Sequence, residues 1–165
     1  MEDLCILGKA LTPPGLSVYL LEDGSLLRTC RISNSIFSGG GSGGRVEKKD
    51  WNINLLWSYD FSSSAYYQHH DIEPMPNGNI LVLGWEYKSL IDVILSGRDP
   101  SSLADNELWP SYILEVQPQG NNEINIVWEW HLWDHLVQKF DPSKPNYGIV
   151  ANHPELLDIN LQILM

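Results

Sequence analysis

The feature that most constrains this chain is a recurring hairpin signal, in which two short β-forming runs flank a tight turn closed by Asp-Gly or Asn-Gly. Glycine accepts the positive φ that such a turn demands, so Asp23-Gly24 and Asn77-Gly78 each mark where a strand must reverse. The first joins 16–21 to 25–32, and the second, written Pro76-Asn77-Gly78, joins 69–75 to 79–85. A further hairpin follows each of them. Segments 45–49 and 55–59 turn through 50–54, and segments 112–117 and 125–130 turn through 118–123. The last strands carry Leu56-Trp57-Ser58-Tyr59 and Val127-Trp128-Glu129-Trp130. Seven Trp and seven Tyr placed mainly in such short segments favour strands over long helices.

Two successive sets of four strands, each with a Trp in the last strand, predict an all-β chain built from β-propeller blades. A β-sandwich assembled from the same hairpins is the alternative. The blades fall at roughly 15–60 and 66–131, behind a lead-in at 1–14. Trp57 and Trp128 are further apart than Gly24 and Gly78, which places a loop insertion at 86–110. Gly97, Asp99 and Pro100 mark irregular chain there, and 90–95 predicts a short helix. The tail holds a helical turn at 134–139, a Pro-rich connection and the start of a third blade near 156. The glycine-rich run 38–44 permits close backbone approach, but no phosphate-loop lysine follows it, and it reads as a loop. A closed propeller needs at least about four blades. The expectation is therefore an incomplete propeller domain over 15–165, with two to three four-stranded blades, in a chain truncated inside its last apolar run.

Charge bounds the partners. Ten Lys and Arg stand against 21 Asp and Glu, a formal charge of −11 over 165 residues, so the average surface repels nucleic acid and anionic lipid. A local basic pocket for a small anion is still allowed. No segment has the length of a membrane span, and the N-terminus lacks the pattern of a signal peptide. Cys5 and Cys30 could pair or remain free, and their spacing matches no metal or redox motif.

The segment His69-His70-Asp71-Ile72-Glu73-Pro74, running into Pro76-Asn77-Gly78-Asn79, resembles a blade motif of bacterial arylsulfate sulfotransferases. Three further pieces fit in order: Gly43-Gly44-Arg45-Val46-Glu47 before Asp50-Trp51, then Trp128-Glu129-Trp130-His131-Leu132-Trp133-Asp134-His135-Leu136, then Asn152-His153-Pro154. The resemblance implies a six-bladed propeller with its active site in the central channel. It implies transfer of a sulfuryl group from a phenolic sulfate ester to a phenol, through a transiently sulfated histidine and without a nucleotide donor. It implies no cofactor and no metal, and export to the periplasm. Imidazole suits this chemistry, being an available nucleophile near neutral pH whose sulfated form passes the group on. Cationic donors around the channel would stabilise charge on the sulfuryl oxygens.

His70 is the residue placed in the catalytic role by this resemblance, binding or polarising the sulfate; the alternative is a histidine packed between blades with its nitrogens satisfied by backbone. Strand alternation sends His69 and His70 to opposite faces, so that only one reaches the channel. His69, Arg45 and Asp71 are the substrate-binding candidates. Arg45 begins a strand and could grip an anion bidentately, or it faces solvent. Asp71 points like His69 and orients a neighbouring donor or closes a turn. Trp128, Trp130 and Trp133 read as inter-blade core rather than as an aromatic clamp. His131 and His135 share a face only if their segment is helical, and no third metal ligand follows at a recognisable spacing. The family's sulfuryl-accepting histidine belongs to a later blade, after the Asn-His-Pro region, and this chain ends at Met165 before such a motif. The chain alone is therefore expected to be inactive. Two other classes compete: a propeller module that only binds a ligand or a protein, and a quinone-cofactor propeller enzyme, which needs cofactor ligands not found here. The oligomeric state is open.

Overall fold

Both glycine turns reverse the chain as their sequence requires: Gly24 (φ 78°) and Gly78 (φ 83°) donate their N–H groups to Leu21 and Met75 at 2.9 Å. The structure, a computed structural model, describes residues 12–37, 39–103 and 107–161. Four strands, β1 (Pro14–Leu20), β2 (Leu26–Arg31), β3 (Gly44–Lys49) and β4 (Leu55–Asp60), form an antiparallel sheet in chain order. Its register pairs Val18 with Arg28, Arg28 with Glu47 and Glu47 with Ser58. Alternation then sets Leu27, Thr29, Val46 and Trp57 on a buried face.

A second four-stranded sheet is ordered β10-β9-β6-β5, from β5 (Tyr66–Pro74), β6 (Ile80–Glu86), β9 (Ser111–Gln119) and β10 (Glu123–His131). Ile72, Ile80, Val82, Leu114 and Val116 supply its buried side chains. Strand β5 runs against β1, β2 and β3. The Trp57 indole donates to the Glu123 carbonyl at 3.2 Å, and Ser58 N–H donates to Asn122 Oδ1 at 3.1 Å. The chain is thus all-β in character, with two antiparallel four-stranded sheets, neither closed on itself.

By contacts the chain falls into two compact units, one containing the chain up to Trp85 with Ile113–Trp130, the other Glu86–Tyr112 with the chain from His131 onward. The insertion read from the sequence as a loop is thus part of a second unit. It contains the short pair β7 (Lys88–Ser89) and β8 (Glu107–Leu108), and the helix expected at 90–95, α1 (Leu90–Leu95). A capping box starts that helix: Ser89 accepts from Asp92 N–H while the Asp92 carboxylate accepts from Ser89 N–H.

The tail departs from expectation. The helical turn predicted at 134–139 sits earlier, as a 3₁₀ turn at Leu132–Asp134, and β11 (Leu136–Val137) follows it. Where a third blade was expected to begin, β12 (Leu157–Asp158) pairs in parallel with β11, whereas a blade meander needs antiparallel neighbours. The connection between them is held by Gln138, which is fully buried. Its Nε2 donates to the carbonyls of Asp141 and Pro145, and its Oε1 accepts from the N–H groups of Phe140 and Asp141. One amide thereby satisfies four backbone groups that Pro142 and Pro145 prevent from forming a regular ladder. Cys30 is buried and unbridged, burial raising its thiol to about 12, while Cys5 lies outside the described residues.

Candidate functional site

The glycine-rich run is not a free loop. Ser42 bridges His69, His70 N–H donates to the Gly41 carbonyl at 2.9 Å, and Gly44 N–H donates to Gln68 Oε1 at 2.9 Å. Gln68 is fully buried, and its Nε2 donates to the His69 carbonyl at 3.0 Å. A side chain at Gly43 would collide with the Gln68 amide, and one at Gly41 would enter the His70 ring. Small residues therefore let this run lie directly against β5.

That contact changes the strand. His70 has a φ of 49°, a left-handed conformation costing on the order of 1 kcal/mol for a non-glycine residue. The twist breaks alternation, so the expectation that His69 and His70 face opposite ways is corrected: their Nδ1 atoms stand 2.8 Å apart, with the rings perpendicular at 89°. His69 is 5% exposed and stacks on Trp85 of β6, ring centroids 3.6 Å apart at 16°. Phe37 stacks on Trp85 at 4.5 Å. His70 is exposed and meets Trp85 edge-on at 5.9 Å.

Burial, with the neighbouring His70 adding to it and the Gly84 backbone alone opposing, lowers the His69 pKa to about 4. His69 is therefore neutral at neutral pH. One proton lies between the two Nδ1 atoms, because two bare lone pairs or two N–H groups at 2.8 Å would repel. An exposed imidazole backed by a buried neutral one can present either a lone pair or a proton to a ligand.

The other substrate-binding candidates lie elsewhere. Asp71 is exposed rather than pointing like the buried His69; it accepts from Ile72 N–H at 2.9 Å and from the Tyr19 hydroxyl at 3.3 Å. Tyr19 also donates to Glu73 at 3.1 Å, and burial together with these carboxylates pushes its phenol up to about 12. Arg45 grips Asp60 with both Nε and Nη2, the latter at 2.9 Å, which holds its guanidinium charged. Sequence reasoning missed Phe37, Gly41, Gln68 and Trp85. The glycine run was a usable signal for Gly41, since a run that permits close approach invites the question of what approaches it.

Of the three tail tryptophans, Trp128 is 48% exposed on the edge strand β10, not buried core. Trp133 lies under the Lys88 ammonium at 5.1 Å, and Lys88 pairs with Glu86 at 2.8 Å. His131 Nδ1 lies 3.2 Å from the other Glu86 oxygen. It ends β10, while His135 follows a 3₁₀ turn, so the two are not on one helix. Among the described residues no group of three or more His, Cys, Asp or Glu side chains could hold a metal, and no helix is long and apolar enough to cross a membrane. A cleft of about 760 Å³ opens at the turn end of the first unit, lined by Leu20, Leu27, Lys48, Trp57, Met75 and Gln117; neither His69 nor His70 lines it. Comparison of the chain with known protein families, with curated proteins and with solved structures finds no match.

Proposed function

We propose that this chain is part of an arylsulfate sulfotransferase-like β-propeller in which His70 offers its imidazole to the sulfate of a phenolic ester. The observation that carries the reading is the His69–His70 pair: an exposed ring held 2.8 Å from a buried neutral ring, on a strand twisted to bring them together. The twist, set where Gly41 lies against the strand, leaves His70 exposed with its Nδ1 already engaged by the buried ring. Backbone strain kept at an exposed imidazole supports a functional role over a structural one. The two antiparallel meanders suit successive blades, with β5 as the strand of the second blade nearest the first sheet.

The test is binding. Titrating 4-nitrophenyl sulfate into the ¹⁵N-labelled chain is expected to shift the ring signals of His70 and Trp85, and His70→Ala to abolish saturation. Saturable binding that survives His70→Ala, or no saturable shift, overturns the reading.

A second reading, a propeller module that binds a ligand without catalysis, is favoured by Arg45. Its guanidinium is engaged by Asp60, so the cation proposed to hold the sulfate oxygens is committed to an ion pair on the first sheet. Saturable binding of the ester with no transfer of its sulfuryl group to a phenol would select this second reading.

A further inference from the structure

We infer that the His69–His70 pair is a two-toothed site for a divalent transition-metal ion of square-planar or octahedral preference, Cu(II) or Ni(II), held between the two Nδ1 atoms. The inference stands apart from the sulfuryl-transfer reading and needs no sulfate ester.

Spacing is the observation that carries it. Two imidazole nitrogens bound cis to one ion, with metal–nitrogen bonds of about 2.0–2.1 Å at a right angle, stand about 2.8–3.0 Å apart. A tetrahedral ion opens the same pair to about 3.3–3.4 Å. The Nδ1 atoms of His69 and His70 lie 2.8 Å apart, at the cis spacing and short of the tetrahedral one. Their rings are perpendicular at 89°, so they meet at their nitrogens and not face to face.

Adjacent residues of a regular strand cannot make this approach, because alternation sends their side chains to opposite faces. The left-handed His70 backbone, with φ at 49°, brings both rings to one side. Packing then holds the two donors in place. The His69 ring is 5% exposed and stacks on Trp85 with centroids 3.6 Å apart. On the other side Gly41 accepts the His70 backbone N–H and lies where any side chain would strike the His70 ring. Donors already in place bind an ion without the ordering cost that two loose histidines carry.

Neutral imidazole suits both ions. The one proton between the Nδ1 atoms moves to Nε2 of the same ring, each ring then turns an Nδ1 lone pair to the ion, and no proton is gained or lost. Among the described residues no third His, Cys, Asp or Glu side chain joins the pair, so water fills the remaining positions on the side where His70 is exposed.

The experiment titrates Cu(II) chloride into the ¹⁵N-labelled chain at neutral pH, in a buffer that does not bind the ion. Paramagnetic broadening is expected to remove the ring signals of His69, His70 and Trp85 at one equivalent, ahead of those of His131, His135 and His153. Electron paramagnetic resonance at that point is expected to show two nitrogen ligands. Ni(II) is expected to compete for the site more strongly than Zn(II), whose tetrahedral preference the spacing does not suit. His70→Ala, at an exposed position, leaves a single ligand and is expected to raise the half-saturating concentration about tenfold or more. Broadening that reaches all the histidines together, or that persists unchanged in His70→Ala folded by circular dichroism, marks adventitious surface binding and overturns the inference. No broadening at one equivalent overturns it as well; should His70→Ala fail to fold, the nitrogen count in the wild-type chain decides. The titration contains no sulfate ester, so metal binding and ester binding stand or fall separately.

Discussion

His69 ties the stability of the first unit to pH. Its folded pKa is about 4 against an ordinary 6.5, so between these values the unfolded chain binds more protons than the folded one. The contribution is fully present above pH 6.5, falls as pH drops, and has gone by about pH 4, a loss of up to about 3 kcal/mol. Urea unfolding across this window, followed by Trp fluorescence, is expected to show that slope, and His69→Phe to flatten it. A neighbouring position gives a sharper contrast. Gly24 and Gly41 both have positive φ, 78° and 73°, but open space surrounds Gly24 while the His70 ring occupies the space beside Gly41. Gly24→Ala is expected to cost about 1 kcal/mol for conformation alone. Gly41→Ala adds a steric clash and is expected to cost about 2–3 kcal/mol, with the His69–His70 proton signature lost as well.

At the level of the elements, hairpins were readable because Asp-Gly and Asn-Gly leave little choice of conformation, and all eight long strands stand where the turns and β-forming runs placed them. The helix Leu90–Leu95 was readable for the same local reason, its start being set by Ser89 and Asp92. What could not be read depends on non-local partners. Alternation is a property of an undisturbed strand, and the contact that disturbs β5 comes from Gly41, far away in sequence. Arg45 looked available because Asp60 becomes its neighbour only once β3 and β4 pair. Gln138 carried no signal at all, although the segment around it depends on one side chain. Gln138→Leu leaves four backbone groups without partners and is expected to cost more than about 2 kcal/mol, read as earlier melting and faster protease cleavage within 139–147. Gln138→Glu keeps the two acceptor bonds but loses both donor bonds, and is expected to rescue only part of that loss.

For the whole molecule, charge and exposed apolar surface pull in opposite directions. Leu16, Val18 and Leu20 alternate along β1 and are more than half exposed, Val18 at 64%. A formal charge of −11 keeps copies apart at neutral pH, and with an isoelectric point near 4.6 that protection vanishes in mild acid. Light scattering is expected to rise between pH 5 and 4.5, and Val18→Lys to reduce it without lowering the melting temperature at pH 7.5. One topological fact has a different bearing. Strands β6 and β9 are immediate neighbours in their sheet although the excursion 87–110 separates them in sequence, and Glu86 N–H is tied to the Pro110 carbonyl at 3.0 Å. The excursion leaves and returns through one doorway. A length change within it leaves the pairing of β6 with β9 in place, so this is a place where the chain can accept a graft, such as a fluorescent reporter or an affinity tag, and still assemble the sheet that presents His70.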